Sequence, residues 1–332
     1  MSTQRYTARV TTDDAELRLT VERLLARADG RPVKVATLTR TPSPFATLFP
    51  VEVLSLSMQG GGAMSLFVKH LGAEQADHPE KRRRDREVRI YEELLGEGEL
   101  PVVRYYGCEW NEGAQRREVF LEHIADWDLR YQDLEHWFTA ARCLARLHAH
   151  FADRAEQLLG CDFLLRFDAH YLHEWADRAL GVVAGYAAEL EDMLSRVAGE
   201  YARVASVLAR QPVTLVHNDL APKNVLADRA HTPARIGFVD WEMAGVGCGV
   251  LDVVDLKYGL DPASDAKMCA AYCAALAGTG LLPGDRRELD RLFAACELHK
   301  TVHRLAHSAS WRLPIDTVAR WTREAEQLLA RV

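Results

Sequence analysis

The chain has 332 residues, of which 48% are hydrophobic and 27% charged, so two lobes or one large α/β domain is expected. Forty-one basic residues against 48 acidic ones give a net charge of −7, which argues against a nucleic-acid-binding surface. No apolar run approaches about 18 residues and the first residues lack the pattern of a secretory signal, so we expect a soluble, cytoplasmic protein without a membrane partner.

The first third of the chain predicts a mostly antiparallel sheet with one internal helix. A D-x-x-E capping pattern at Asp13 begins an amphipathic helix that runs to about Arg27. The glycine-rich segment 59–62 (QGGG) predicts a hairpin turn, and apolar spacing within the charged stretch 80–95 predicts the internal helix. The strands are predicted at 33–39, 51–58, 63–71, 102–110 and 118–124, with a polar turn at 111–115.

The rest of the chain is rich in Ala, Leu and Arg, which is typical of helices. Helices are predicted at 134–158, 165–181, 184–210 and after Asp255, and short strands at 213–217, 225–227 and 235–240. Asp252 and Asp255 are expected to cap and orient the helix that follows. The sequence thus divides into an N-terminal lobe at 1–122 with its own first helix, a hinge or linker at 123–132, and a helical lobe at 133–332.

Lys69 is the first of several polar residues in an order that is typical of phosphoryl transfer. It lies in a strand where it alternates with apolar residues, and an aliphatic core does not accommodate an ammonium group. A nucleotide over that face removes the conflict, and an edge-strand lysine that faces water is the alternative. Glu87 on the following helix is a candidate partner for this cation, although Glu92 and Glu93 compete for the same role.

The pattern His217-x-Asp219-x4-Asn224 follows a predicted strand, and Asp240 ends the next one. An Asp on a loop can position an attacking hydroxyl and accept its proton, while an Asn and a second Asp can hold Mg²⁺. His217 is expected to brace the loop rather than to act as an acid or base. A loop of ordinary turn-forming residues is the alternative for the whole set.

The stretches LVHNDLAPKNVL and IGFVDWEMAGVGCGVLDVVDL resemble the aminoglycoside phosphotransferase and choline kinase group, which are small-molecule kinases. The resemblance extends to FVKH, REVRIYEELL, FLEHI and LARLHAHF, and it spans about residues 45–260. It implies an α+β, two-lobed protein-kinase-like fold with a β-rich N-terminal lobe and a larger helical C-terminal lobe.

The resemblance also implies that Asp219 is the catalytic base and that Asn224 and Asp240 are ligands of Mg²⁺. Two positions depart from the pattern of the group. Asn218 stands where aminoglycoside phosphotransferases usually carry Gly, and Lys223 stands where Gly is common. A cation at Lys223 can reach the γ-phosphate and offset the charge that develops in transfer, or it can extend into solvent, and the spacing leaves both readings open.

A site for ATP or GTP follows from the same resemblance. It is built from Lys69 and Glu87 at the α- and β-phosphates, the turn Gly60, Gly61 and Gly62, and the hinge backbone at Leu121, Glu122 and His123. The glycines let backbone N–H groups approach phosphate oxygens, although a hairpin turn alone also explains them.

The predicted function is a Mg²⁺-dependent transfer of the γ-phosphoryl group of ATP or GTP to a hydroxyl of a small molecule. An aminoglycoside or other antibiotic, an amino alcohol or a sugar fits this role, and the sequence indicates neither the acceptor nor an oligomeric state. The alternative is a nucleotide-binding pseudokinase that acts as a sensor or partner-binding module.

Overall fold

The computed structural model describes residues 13–43, 50–72, 80, 83–96, 99–111, 116–126 and 128–332. The chain forms two compact units, Met1–Asp126 with Gly237–Glu242, and Trp127–Ile236 with Met243–Val332. The turn predicted at 111–115 lies largely outside the described residues. The two functional lobes with a hinge at 123–132 stay a prediction.

An antiparallel five-stranded sheet forms most of the first unit. The elements are α1 (Asp14–Asp29), β1 (Val35–Pro42), β2 (Val51–Met58), β3 (Ala63–Leu71), α2 (Arg86–Glu93), β4 (Tyr105–Asn111) and β5 (Arg116–Glu122). The strand order is β1-β2-β3-β5-β4, so β3 lies at the centre of the sheet. Helix α2 is shorter than the predicted 80–95, since it begins at Arg86 and ends at Glu93.

Helix α1 packs on one face of this sheet. Asp13 caps the helix by accepting a hydrogen bond from the backbone N–H of Ala15, and Gly30 ends it in a left-handed conformation. Alternate residues of β2 and β3 are fully buried against α1, in a core formed by Leu17, Val21, Leu24, Leu25, Leu54, Leu56, Leu66 and Val68. The opposite face of β3 carries Lys69.

Nine helices form most of the described part of the second unit. They are α3 (Leu134–Ala152), α4 (Ala155–Gly160), α5 (Ala169–Val183), α6 (Ala188–Gly199), α7 (Tyr201–Ala209), α8 (Val250–Leu256), α9 (Pro262–Ala275), α10 (Arg286–His307) and α11 (Ile315–Leu329). The single helices predicted at 134–158 and 184–210 are wrong, because each is two helices; the second is interrupted after Gly199, and glycine is a poor helix former. In the described ranges, every helix is too short or too polar to span a bilayer.

Five short strands accompany these helices: β6 (Leu165–Arg166), β7 (Val213–Val216), β8 (Val225–Asp228), β9 (Arg235–Phe238) and β10 (Gly245–Cys248). Strand β10 lies between β6 and β7, and β8 pairs with β9. The sequence did not predict β6 or β10, because two of the four residues of β10 are glycines. A Cβ at Gly245 would lie 2.6 Å from the carbonyl oxygen of Leu165, so the close approach of these strands requires glycine. The predicted α+β class is confirmed.

Candidate active site

A buried group of charges surrounds Lys69 in the first unit. Lys69 lies on β3 between two neighbouring strands, so it is not an edge-strand residue. Its Nζ donates to Oε2 of Glu87 on α2 at 2.6 Å and to Oδ1 of Asp240 at 2.6 Å. Burial disfavours the charge, but the carboxylates of Asp240 and Glu87 outweigh it and hold the pKa of Lys69 well above its ordinary value. Lys69 is therefore a fixed cation.

Glu87 is the glutamate of α2 that contacts Lys69. Burial raises the pKa of its carboxyl to about 7, although the charge of Lys69 opposes this shift. Of the two competing residues, Glu92 accepts a hydrogen bond from a tyrosine hydroxyl at 2.7 Å and Glu93 pairs with an arginine at 2.6 Å. The geometry therefore separates three glutamates that the sequence left as alternatives.

Asp240 follows β9, and its backbone has a φ of 70°. This left-handed conformation is accessible to Asp at a lower cost than to most residues. The segment that carries it is held by arginines near α2, since Arg86 donates to the carbonyl oxygen of Glu242 at 2.6 Å and Arg84 pairs with the Glu242 carboxylate at 3.4 Å. These contacts place the Asp240 carboxylate beside Lys69.

The glycines at 60–62 form the turn between β2 and β3. Gly61 and Gly62 have φ values of 86° and 91°, which glycine adopts without a steric penalty. The N–H of Gly61 donates to the carbonyl oxygen of Met58 at 3.1 Å. The N–H of Met58 donates to the carbonyl oxygen of Gly62, also at 3.1 Å. These bonds account for a hairpin turn, and contact with phosphate stays a prediction.

The predicted hinge residues lie at the end of β5. Leu121 is buried, and the Glu122 carboxylate accepts a hydrogen bond from the backbone N–H of Arg104 at 3.0 Å. Nδ1 of His123 is buried and finds no hydrogen-bond partner in the described ranges, and burial lowers the pKa of this imidazole. A buried nitrogen without a partner is unusual, which makes this segment a candidate for a ligand contact.

In the second unit, the loop after β7 brings Asp219, Lys223 and Asn224 together. The amide nitrogen of Asn224 donates to the backbone oxygen of Asp219 at 2.7 Å and to its Oδ2 at 3.1 Å. Lys223 Nζ donates to the same Oδ2 at 3.2 Å. The Asp219 side chain is 40% exposed, and no group in the described part of the chain donates to its Oδ1. One carboxylate oxygen is thus fixed and the other is open to its surroundings.

The carboxylate of Asp252 binds the backbone of this loop. Its two oxygens accept hydrogen bonds from the N–H groups of His217 at 2.7 Å and Asn218 at 2.8 Å. Burial disfavours the carboxylate, but the hydrogen bond from His148 and nearby cations reverse this and lower the pKa of Asp252. The prediction that Asp252 caps a helix is wrong, because it lies inside α8 and the cap position is Gly249.

His217 is 1% exposed, and its Nδ1 accepts a hydrogen bond from the backbone N–H of Asp219 at 3.4 Å. This contact fits the bracing role that the sequence predicts. Sequence reasoning missed how Asp252 and Lys300 support the loop. A carboxylate within the apolar run GVLDVV was the available signal for Asp252, and the sequence offered no comparable signal for Lys300.

Asn224 and Asp240 carry the donor atoms that Mg²⁺ prefers. Asn224 directs its amide nitrogen at Asp219, so its amide oxygen is turned to the other side. The Asp240 side chain is 32% exposed and offers carboxylate oxygens. Hard oxygen ligands of these two kinds fit a magnesium ion.

Residues 7–292 match the phosphotransferase enzyme family. The match covers well over half of the 332 residues, and the chain therefore belongs to this family. The predicted resemblance and the predicted phosphotransferase class are confirmed. No curated protein matches the sequence.

Solved structures of small-molecule kinases have a similar fold. The GDP complex of an aminoglycoside 2'-phosphotransferase-IIIa mutant has a TM-score of 0.59 and 14% identity, covering 94% of this chain and 97% of that one. Choline kinase LicA from Streptococcus pneumoniae has a TM-score of 0.56 and 13% identity, with coverage of 95% and 99%. The microcompartment-associated aminopropanol kinase has a TM-score of 0.59 and 16% identity, with coverage of 94% and 95%. This likeness confirms the α+β, protein-kinase-like fold.

Proposed function

We propose that the protein transfers the γ-phosphoryl group of ATP or GTP to a hydroxyl of a small molecule, with Asp219 as the general base. The observation that carries this proposal is the state of the Asp219 carboxylate. Lys223 and Asn224 hold Oδ2, while Oδ1 is open to accept a proton from an incoming hydroxyl. A general base needs this combination of fixed orientation and a free lone pair.

The first unit supports nucleotide binding. Lys69 is a cation held by Glu87, which suits contact with the non-transferred phosphates. The unpartnered Nδ1 of His123 supports a nucleobase contact at the end of β5. Two structural neighbours are described as complexes with GDP and with AMP, which supports a nucleotide as the second substrate.

Asn224 and Asp240 are the proposed ligands of Mg²⁺. When bound, the ion supplies positive charge to the phosphate oxygens during transfer. Asn224 also orients the base, since its amide nitrogen donates to Asp219 while its amide oxygen would be the ligand of the ion. One side chain thereby links the position of the base to the position of the ion.

Lys223 has a proposed role in charge compensation. Its side chain is 47% exposed, and its Nζ contacts Oδ2 of Asp219 at 3.2 Å. An exposed lysine at this position can move toward the transferring group as negative charge develops there, while Asn224 continues to hold Oδ2 of Asp219. This proposal explains a lysine where related enzymes commonly carry glycine.

The acceptor class follows from chemistry shared by the neighbours. An aminoglycoside phosphotransferase, a choline kinase and an aminopropanol kinase are each named for a compound that carries both a hydroxyl group and an amine or ammonium group. We propose amino alcohols and aminoglycosides as the first acceptors to test, with sugars and other antibiotics next. The net charge of −7 agrees with a cationic acceptor.

The test is a coupled nucleotide-consumption assay with Mg·ATP and Mg·GTP against these acceptors. Asp219→Asn should lower kcat by about 10²- to 10⁴-fold, because the general base is lost while the shape is kept. Asp261→Asn is the matched control: Asp261 caps α9 by accepting from Ala263 and Ser264, and Asn caps a helix equally well.

Acceptor-dependent turnover that disappears in Asp219→Asn and persists in Asp261→Asn supports the proposal. Nucleotide binding without turnover on any acceptor favours the pseudokinase. Equal turnover in wild type and Asp219→Asn contradicts the assignment of the base.

A further inference from the structure

Lys300 is a buried lysine on α10 that contacts the proposed catalytic loop. It is 2% exposed, and it lies 82 residues beyond Asn218 in the chain. Its Nζ donates to the backbone oxygen of Asn218 at 2.9 Å and to the side-chain Oδ1 of the same residue at 3.0 Å. The ammonium group also pairs with Oδ2 of Asp255 at 2.6 Å.

These three acceptors match the three N–H donors of an ammonium group. Asp255, which the sequence predicts as a helix cap, instead supplies the compensating charge. The ion pair with Asp255 compensates the charge of Lys300 but leaves two N–H donors that still need acceptors in this buried position. The two remaining donors both go to Asn218, so one cation chelates the backbone and the side chain of a single residue.

Asn218 has an unusual backbone conformation that needs such support. Its φ is 67°, in the left-handed region, where a residue with a side chain is strained and Asn is strained less than most. Glycine adopts this conformation freely and would need no support in it. The asparagine that stands here is instead supported by Lys300, which binds both of its oxygens.

The same contact fixes the peptide group that joins Asn218 to Asp219. The carbonyl oxygen of Asn218 and the N–H of Asp219 belong to one planar peptide group. Lys300 binds the oxygen end of this plane, and Nδ1 of His217 accepts from the N–H end at 3.4 Å. The plane is held at both ends, and its orientation sets the direction in which the Asp219 side chain leaves the backbone.

We propose that Lys300 is a positioning residue for phosphoryl transfer, which holds the Asn218–Asp219 peptide so that the carboxylate of Asp219 meets the acceptor hydroxyl. The inference rests on the proposed role of Asp219 as the base. Lys300 acts through the loop and makes no contact with the reacting groups. Its loss should therefore lower kcat and leave the KM for nucleotide nearly unchanged.

The primary test compares Lys300→Met with Lys257→Met in the full-length protein. Lys257 is also buried and pairs with Asp265 at 2.8 Å and Glu297 at 2.6 Å. Both substitutions remove a buried, ion-paired ammonium group, but Lys257 bonds to Asp265 and Glu297 and not to the loop. Lys300→Met should lower kcat about 10- to 100-fold, the expected loss for two charge-assisted hydrogen bonds. Lys257→Met should leave kcat unchanged while it lowers the melting temperature.

A second test uses the conformation of residue 218. Asn218→Gly removes the side-chain acceptor and makes the left-handed conformation accessible without support. If Lys300 acts by holding that conformation, Lys300→Met should lower kcat less in the Asn218→Gly background than in wild type. A residue that only stabilises the fold would lower kcat equally in both backgrounds, or in neither.

Folding of Lys300→Met is favoured because Asp255 keeps a partner in Arg304, at 3.4 Å. Should this variant nevertheless fail to fold, Lys300→Arg keeps the charge but presents a planar fork in place of three tetrahedral donors, and it should give an intermediate kcat.

Equal kcat in Lys300→Met and wild type would overturn the proposal, as would an equal loss in Lys257→Met. Full activity of Asp219→Asn would instead overturn the proposed base, so the two failures are distinguishable.

Discussion

The Lys69 cluster and the loop that carries Asp219 hold their functional groups in different ways. Lys69 lies on the central strand β3 and Glu87 on helix α2, so regular elements fix the backbone of both residues. Asp219 lies on a loop, whose N–H groups are held by the carboxylate of Asp252. The contacts of Lys69 with Glu87 and Asp240 join charge to charge, whereas those of Asp252 with the loop join a carboxylate to backbone N–H groups.

This difference separates what each set of contacts contributes. A charge pair on regular elements can be changed without moving the backbone, so its removal should alter electrostatics before it alters shape. A loop held by a remote carboxylate depends on that carboxylate for its conformation, so removal should alter stability and geometry together. Substitutions of Lys69 and of Asp252 should therefore give opposite ratios of lost activity to lost stability.

Among the variants that test this difference, Lys69→Met should have the largest effect on activity. We expect kcat/KM to fall by about 10²- to 10³-fold, as for the removal of one fixed donor to a developing or bound anion. Stability should change less, because the pKa of Glu87 is raised to about 7 and its carboxylate can take up a proton when its cation is lost. Steady-state kinetics and thermal melting of the same preparation measure the two effects.

Adding Glu87→Gln to Lys69→Met should recover stability without recovering activity. Lys34→Met is the control, since Lys34 pairs with Glu22 at 2.7 Å but is 63% exposed. A large fall in the melting temperature of Lys69→Met with little loss of kcat/KM would contradict the proposed difference between the two regions.

Asp252→Ala should lower stability more than activity, which is the opposite of the result expected for Lys69→Met. The substitution leaves two backbone N–H groups buried without an acceptor and should lower the free energy of unfolding by about 3 kcal/mol. Urea denaturation measures this loss. The control is Asp265→Ala, which removes a 33% exposed carboxylate from Lys257 and should cost about 1 kcal/mol or less. If Asp252→Ala unfolds at the wild-type urea concentration, the loop is held by other contacts.

The same difference explains how much of the site the sequence reveals. Lys69 is recognisable because strand periodicity places it before any contact is known, whereas helix periodicity left Glu87 in competition with Glu92 and Glu93. Asp219 and Asn224 are recognisable because a short loop forces residues five positions apart to meet. Asp252 and Lys300 contact the loop only through the packing of α8 and α10, and no local pattern encodes that packing.

The limits of helices and strands are likewise predictable where a local pattern defines them and not where packing between distant segments does. Strands β2 and β3 have the predicted limits because alternation and a glycine turn define them locally. Strand β10 was missed because its glycines are explained only by the strand that packs against them, where a Cβ at Gly247 would lie 2.7 Å from Phe167 Cβ. The break after Gly199 was missed because one glycine inside a helical pattern is tolerated as often as it is disruptive.

A second charged group in the first unit lies on the face of the sheet opposite Lys69. Glu52 on β2 accepts two hydrogen bonds from Arg40, at 2.7 and 2.8 Å, and Nε2 of His70 lies 2.9 Å from its Oε1. Burial disfavours the Glu52 carboxylate, but the bonds from His70 and Arg40 reverse this and lower its pKa. This group has no place in the proposed reaction, so it shows what a buried charge cluster contributes by itself.

The smallest effect should be that of Glu52→Gln, and it should depend on pH. A carboxyl whose pKa is lower in the folded state stabilises the fold above its unfolded pKa, about 4.5, and loses that contribution as the pH falls through the folded value. At pH 7 we expect Glu52→Gln to lower the free energy of unfolding by about 2 kcal/mol, with kcat unchanged. Urea denaturation from pH 7 to pH 3 should show the two proteins converging below about pH 4.5. A constant difference across this range would mean that packing, and not the charge of Glu52, stabilises this end of the sheet.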